Sequence, residues 1–202
     1  MELLIPLIVL IFSAILHEVM HGVVADKLGD PTARVMGRLT LNPIPHIDPI
    51  MSIIVPALLI FSGSPILFGA AKPVPINPMH FKDPKKDMAL SALAGPLTNI
   101  FIAVLAAFIL KFARLSGLEP FLYTVVLYNL ILAFVNLIPI PPLDGSRVLA
   151  AILPNELASL YMSIERYGIF ILFFLLLMPI GNLSLGFLIN KLVMFSISLL
   201  GL

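Results

Sequence analysis

Residues 3–24 read LLIPLIVLIFSAILHEVMHGVV, an apolar run of membrane-spanning length whose titratable members are His17, Glu18 and His21. On a helix, residues four apart share a face, so His17 and His21 present their imidazoles to one point. The pattern H-E-x-x-H holds a metal ion through its two histidines, while the Glu is placed to take a proton from water. A charged group at the centre of a spanning helix costs roughly 2.5–3.5 kcal/mol, so this set in this place marks a functional site. The plainer reading is a pair of interfacial histidines with a snorkelling Glu18 at a helix end.

The rest of the chain supports a membrane class. Of 202 residues, 60% are hydrophobic and 11% charged, with a mean hydropathy of +1.10. We expect an all-α multi-pass membrane protein with about 4–6 transmembrane helices, forming a single domain over residues 1–202. A formal charge of +1 gives no argument for nucleic-acid binding, and the lipid bilayer is the expected surrounding. The chain has no cysteine, which excludes disulfides, thiolate metal sites and a cysteine nucleophile. A metal must then be held by His, Asp, Glu or Asn. The opening MELLIP lacks the basic start of a cleavable signal, so the first span reads as retained.

Core spans are expected at about 3–25, 88–112 and 121–149, with an insert over 31–87 and C-terminal helices over 155–202. Within the insert, Val35, Leu39 and Leu41 alternate around Gly37, which predicts a short β-hairpin at the membrane edge. Residues 33–41 would then offer an edge strand to an extended peptide. Residues 50–71 are long enough to cross, yet Ser62-Gly63-Ser64-Pro65 interrupts them, and a re-entrant hairpin is the alternative. Folding back places Lys27, Arg34, Arg38, Lys72, Lys82, Lys85 and Lys86 on one side, against Lys111 and Arg114 on the other. The positive-inside rule favours that arrangement, with the N-terminus outside and the H-E-x-x-H nearer the cytoplasm. Asn155 is placed to cap a short helix.

A catalytic zinc site takes three protein ligands and keeps a position for water. Asp144 is the natural third ligand. It follows an apolar span in NLIPIPPLDG (136–145), whose three prolines unwind the helix, and irregular backbone at membrane depth belongs beside a cavity. Its plainer roles are a helix cap or a partner for Arg147. Asp26, Asp30, Asp48, Asp83 and Asp87 lie in polar stretches and read as solvated. His46 and His80, in proline-rich loops, read as structural, and Asn99 as a helix-packing residue.

The motifs HEVMH (17–21), GRLTLNPIPHIDP (37–49), AKPVPINP (71–78), AGPLTN (94–99) and NLIPIPPLDG (136–145) together resemble the site-2 proteases, zinc-dependent intramembrane metalloproteases. The resemblance runs from the first span to about residue 150. It implies one Zn2+ per chain held by His17, His21 and Asp144, with Glu18 as catalytic acid and base. It implies an active site facing the cytoplasm and a transmembrane protein as substrate. It further implies that Asn136 contacts substrate and that the Gly-Pro of AGPLTN lets the core helices pack closely. Asn136 has a structural alternative, an interhelical hydrogen bond. The compact length leaves no room for a PDZ-like or nucleotide-sensing domain, and homo-oligomerisation stays open. The competing class is a membrane metal-ion transporter or binding protein using the same His/Glu/Asp cluster, which would need a second ion site along a polar path.

Overall fold

The computed structural model describes residues 4–62, 71–113, 117–177 and 184–202. Among them it is all-helical. The chain forms α1 (Leu4–Leu28), a single turn α2 (Thr32–Val35), α3 (Val55–Phe61), α4 (Pro84–Phe112), α5 (Glu119–Asn136), α6 (Asp144–Ile152), α7 (Asn155–Met162), α8 (Glu165–Leu177) and α9 (Leu185–Leu200). Three of these, α1, α4 and α5, are long and apolar enough to cross a membrane, which fits a membrane protein. The expected count of 4–6 is not reached among the described residues; α8 and α9 are apolar but shorter.

Helix α4 is the centre of the packing and touches α1, α5, α6 and α9. Its composition explains why. Ala103, Ala106 and Ala107 are buried against Val126 and Leu130 of α5 and Ile189, Val193 and Ile197 of α9. Without a water-driven hydrophobic effect between spans, helices associate where small residues let their backbones approach. The opposite faces carry large apolar side chains. Leu4, Ile5, Leu7, Ile8, Ile11 and Phe12 of α1 and Phe101, Val104, Leu105 and Phe108 of α4 are all exposed, as expected of surfaces that meet lipid.

Helix boundaries follow local chemistry. Asp83 caps α4 by accepting from the Lys86 N–H at 3.2 Å, and Pro84 at the first helical position has no N–H to leave unpaired. The third span ends earlier than 149: α5 stops at Asn136, a proline-rich turn follows, and α6 starts at Asp144. Asn155 is not a cap. It is the first residue of α7, behind Pro154, and its Oδ1 accepts from Lys85 Nζ at 3.2 Å.

The hairpin expected within 31–49 is replaced by irregular backbone. Pro31 leads into α2, Gly37 takes a left-handed φ of +65°, and Ile44–His46 form one 3-10 turn. Alternation here fails to give strands because Arg38 is needed elsewhere. It is buried and donates through Nη2 to the carbonyls of Lys72 and Pro73 at 2.9 and 3.2 Å. Ala33, Leu39 and Val74 meet at Gly22 of α1, where a Cβ would lie 2.6–2.9 Å from their side chains. The edge-strand role for 33–41 is therefore withdrawn. For the 50–71 question, a π-helical stretch Pro49–Ile54 runs into α3, while residues 63–70 lie outside the described residues. The flanking residues do meet, since Lys72 N donates to the His46 carbonyl at 2.8 Å.

Asp30 is a second correction. It is not solvated but fully buried, where the chain leaves α1. Its carboxylate accepts from Asn77 N at 2.7 Å, Thr32 N at 3.1 Å, the Thr32 hydroxyl and His80 Nδ1 at 2.7 Å. His80 thus has the structural role expected of it. Burial pushes the Asp30 pKa up, but these four donors outweigh it and hold the carboxyl below its ordinary range. A depressed folded-state pKa gives stability that is present above the unfolded value, about 3.9, and lost as pH falls through the folded value. Asp87 is also buried, accepting from Asp83 N at 3.1 Å. Replacing Asp30 by Ala should cost about 2–4 kcal/mol at neutral pH by leaving buried donors unpaired. Thermal denaturation in detergent should show that deficit shrinking below about pH 4, as the parent loses the same interaction.

Candidate metal centre

Three residues of α1 at four-residue spacing, Ser13, His17 and His21, are buried on one face. Facing them, α4 offers Ser91, Gly95 and Asn99 at the same spacing, all buried. The two helices run antiparallel, so Ser91 meets His21 while Asn99 meets Ser13 and His17. His21 Nδ1 lies 2.7 Å from the Ser91 carbonyl oxygen, and Ser91 Oγ returns a bond to the His21 carbonyl at 3.0 Å. His17 Nδ1 lies 2.6 Å from Asn99 Oδ1. With each Nδ1 facing an acceptor oxygen, each neutral ring keeps its lone pair on Nε2.

Asp144 completes the group from the other end of the fold. The turn after α5 delivers it at the first position of α6, and Gly145 is what lets that turn close. A side chain at 145 would collide with the backbone of Leu137 and stand 2.7 Å from the Ile138 carbonyl oxygen. Neither plainer role applies to Asp144, since Arg147 pairs with Glu165 at 2.6 Å and the Asp144 side chain makes no cap.

The geometry suits a metal. Asp144 Oδ2 lies 3.0 Å from His17 Nε2 and 3.3 Å from His21 Nε2. Ligand atoms about 2.0–2.1 Å from a tetrahedral zinc are separated by about 3.3 Å, which is this spacing. Asp144 Oδ2 is buried and has no hydrogen-bond partner. Two nitrogen lone pairs and a carboxylate oxygen facing one another repel unless a cation lies between them. Gly95 keeps the space clear: a Cβ there would stand 2.5 Å from His21 Nε2 and 2.6 Å from His17 Nε2. Among the described residues, His17, His21 and Asp144 are the one group of three side chains that could hold an ion.

The other expected site residues are placed as follows. Glu18, half-buried on α1, accepts at Oε2 from the Val74 N–H at 2.8 Å. Asn136 is the last residue of α5 and donates from Nδ2 to its own-helix Leu132 carbonyl at 3.0 Å, not across to another helix. His46 is buried and bonds the Thr40 carbonyl through Nε2 at 2.9 Å, away from the ligand group. Asn99 joins α4 to α1 and α5, as expected of a helix-packing residue, and in addition contacts the His17 ring. Its place could have been suspected from Ser91-x3-Gly95-x3-Asn99, a polar and small-residue stripe in an apolar span, matching Ser13-x3-His17-x3-His21.

Comparison with known proteins identifies the family of the chain. The Peptidase family M50 model matches residues 111–179, a segment that includes Asn136 and Asp144. The candidate zinc metalloprotease YwhC of Bacillus subtilis is 36% identical over 193 residues, covering 91% of this chain and 84% of that protein. The chain belongs to peptidase family M50, the site-2 proteases. The candidate zinc metalloprotease Rip2 of Mycobacterium tuberculosis is 33% identical over 176 residues, 84% of this chain and 65% of its own length. The zinc metalloprotease MJ0392 of Methanocaldococcus jannaschii is 30% identical over 151 residues, 74% of this chain but 34% of that protein. No solved structure gives a significant match. In this M50 chain Gly95 supplies a direct test. Ala is favoured over Gly in a helix by about 1 kcal/mol, so Gly95→Ala should not melt α4. It should nevertheless weaken zinc binding by tenfold or more, measured by chelator competition, because its methyl group displaces the ligand nitrogens.

Proposed function

We propose that this M50 protein is an intramembrane zinc endopeptidase that hydrolyses peptide bonds within or near transmembrane segments of membrane proteins. The observation that carries the reading is the convergence of His17, His21 and Asp144 between apolar helices, with Glu18 next to His17 in the chain. In this reading His17, His21 and Asp144 hold the ion. When bound there, zinc supplies Lewis acidity toward water and toward a peptide carbonyl.

The protein's own residues supply the rest. Glu18 takes a proton from the attacking water at its carboxylate and passes it to the amide nitrogen as the C–N bond breaks. The Val74 N–H occupies Oε2 and fixes the carboxylate, which leaves Oε1 for the proton. Asn136, at the mouth of the turn that carries Asp144, bonds the substrate backbone through Oδ1 or the second Nδ2 proton, one Nδ2 proton being donated to the Leu132 carbonyl. Apolar helices around the site exclude bulk water and admit substrate only as an unwound segment, because a helical peptide hides its carbonyls.

The proposed placement is a multi-pass cell-membrane protein with the site toward the cytoplasm and the N-terminus outside. Its support is the gathering of basic residues at the α1 exit: Arg34 pairs with Asp26, Arg38 binds Lys72 and Pro73, and Lys27, Lys82 and Lys86 line one cleft. The bond from Lys72 N to the His46 carbonyl joins the two flanks of residues 50–71 and supports reading them as re-entrant. A cysteine at Met79 should label only from the cytoplasmic face; labelling only from outside would reverse the orientation. Glu18→Gln keeps an acceptor for Val74 but cannot take a proton. It should retain zinc and lose cleavage of a transmembrane test substrate by about 10²–10⁴-fold. Full cleavage by that variant would remove the assignment.

A further inference from the structure

Behind His17 stands a chain of buried amides to which the metal assignment gives no task. Asn99 Nδ2 lies 2.8 Å from Asn129 Oδ1. Asn129 Nδ2 lies 2.8 Å from the Val125 carbonyl oxygen and 2.9 Å from Ser13 Oγ. Asn99 and Asn129 are both 0% exposed, so water cannot answer for either. The two ends of a carboxamide differ little in shape, and its partners decide which end faces where.

Here the partners leave one solution. The Val125 carbonyl can only accept, so Asn129 turns its NH2 toward it and its oxygen toward Asn99. Asn99 must then meet that oxygen with its own NH2, which leaves Asn99 Oδ1 against His17. An oxygen at 2.6 Å can only accept, so His17 carries a proton on Nδ1, and the neutral ring keeps its lone pair on Nε2, toward Asp144. The Ser13 carbonyl, 3.4 Å from Asn99 Nδ2, favours the same orientation more weakly. His21 needs no such relay, because the Ser91 backbone carbonyl imposes the same tautomer directly.

We propose that Asn129 is a positioning residue: through Asn99 it sets the tautomer of His17 and so keeps His17 Nε2 available as a zinc ligand. The proposal rests on the metal assignment above. It also makes α5 contribute twice to the centre, once through this relay and once through the turn that delivers Asp144.

The test uses the full chain in lipid bilayers, free of metal, with nitrogen-15-labelled histidine. Ring-nitrogen NMR shifts distinguish a protonated from an unprotonated nitrogen, and His17→Ala assigns the signal. Metal-free parent protein should show His17 protonated at Nδ1. Asn129→Leu, similar in size but without an amide, should introduce Nε2-protonated His17 and weaken zinc binding 10–100-fold in chelator competition. In an Asn99→Asp background both facing oxygens are acceptors and no orientation is left to set. There Asn129→Leu should leave zinc affinity unchanged. His17 protonated at Nε2 and not at Nδ1 in the metal-free parent would overturn the proposal, and this measurement decides even if the variants do not fold. An equal loss of affinity in both backgrounds would overturn it as well, since ordinary packing predicts that result. Zinc that stays bound when His17 and His21 are both Ala would instead defeat the metal assignment, and this proposal with it.

Discussion

The structure depends on two imidazoles and a carboxylate that converge on one point away from water. Asp144 Oδ2 has no hydrogen-bond donor, and each neutral imidazole whose Nδ1 is engaged turns an Nε2 lone pair toward it. Such a cluster opposes folding in an apolar bundle unless a cation joins it. The arrangement around it reads as a set of conditions for that cation. Small residues on α4 bring the α1 and α4 backbones together, Gly95 leaves room, and acceptors behind each ring fix its tautomer. The proline-rich turn after α5 ends the helix where Asp144 must stand.

The same constraint explains why the polar segment beyond α1 is not a hairpin. Its task is to hold residues 71–77 against α1, with Val74 N on Glu18. Arg38 grips the Lys72 and Pro73 carbonyls, His46 takes the Lys72 N–H, and buried Asp30 takes the Asn77 N–H. Two prolines, Pro73 and Pro75, remove N–H groups that such a strap has no partner for. A sequence built for sheet pairing would need those donors.

This division sets what could be read from the chain alone. The meeting of His17, His21 and Asp144 was legible because four-residue spacing on a helix and a proline-broken span are local patterns with one geometric consequence each. The three long apolar helices were legible for the same reason. Asn99 was legible only as far as its stripe with Ser91 and Gly95 goes, and Asn129 not at all, since an amide in an apolar span fits packing or ligand support equally until the facing helix is known. Asp30 read as solvated because Gly29-Asp30-Pro31 resembles any turn, and two of its four donors, from Asn77 and His80, come from about fifty positions away. Val35, Leu39 and Leu41 alternate as a strand does, yet Leu39 packs on Gly22 and Val35 is exposed, which alternation cannot foresee.

X-ray absorption at the zinc edge of the purified protein tests the central claim most directly. The account predicts one zinc per chain with two imidazole nitrogens at about 2.0–2.1 Å and oxygen in the remaining positions. Replacing His46 and His80 together should leave that spectrum unchanged. A shell with other than two imidazoles, or one altered by the loss of His46 and His80, would contradict the account.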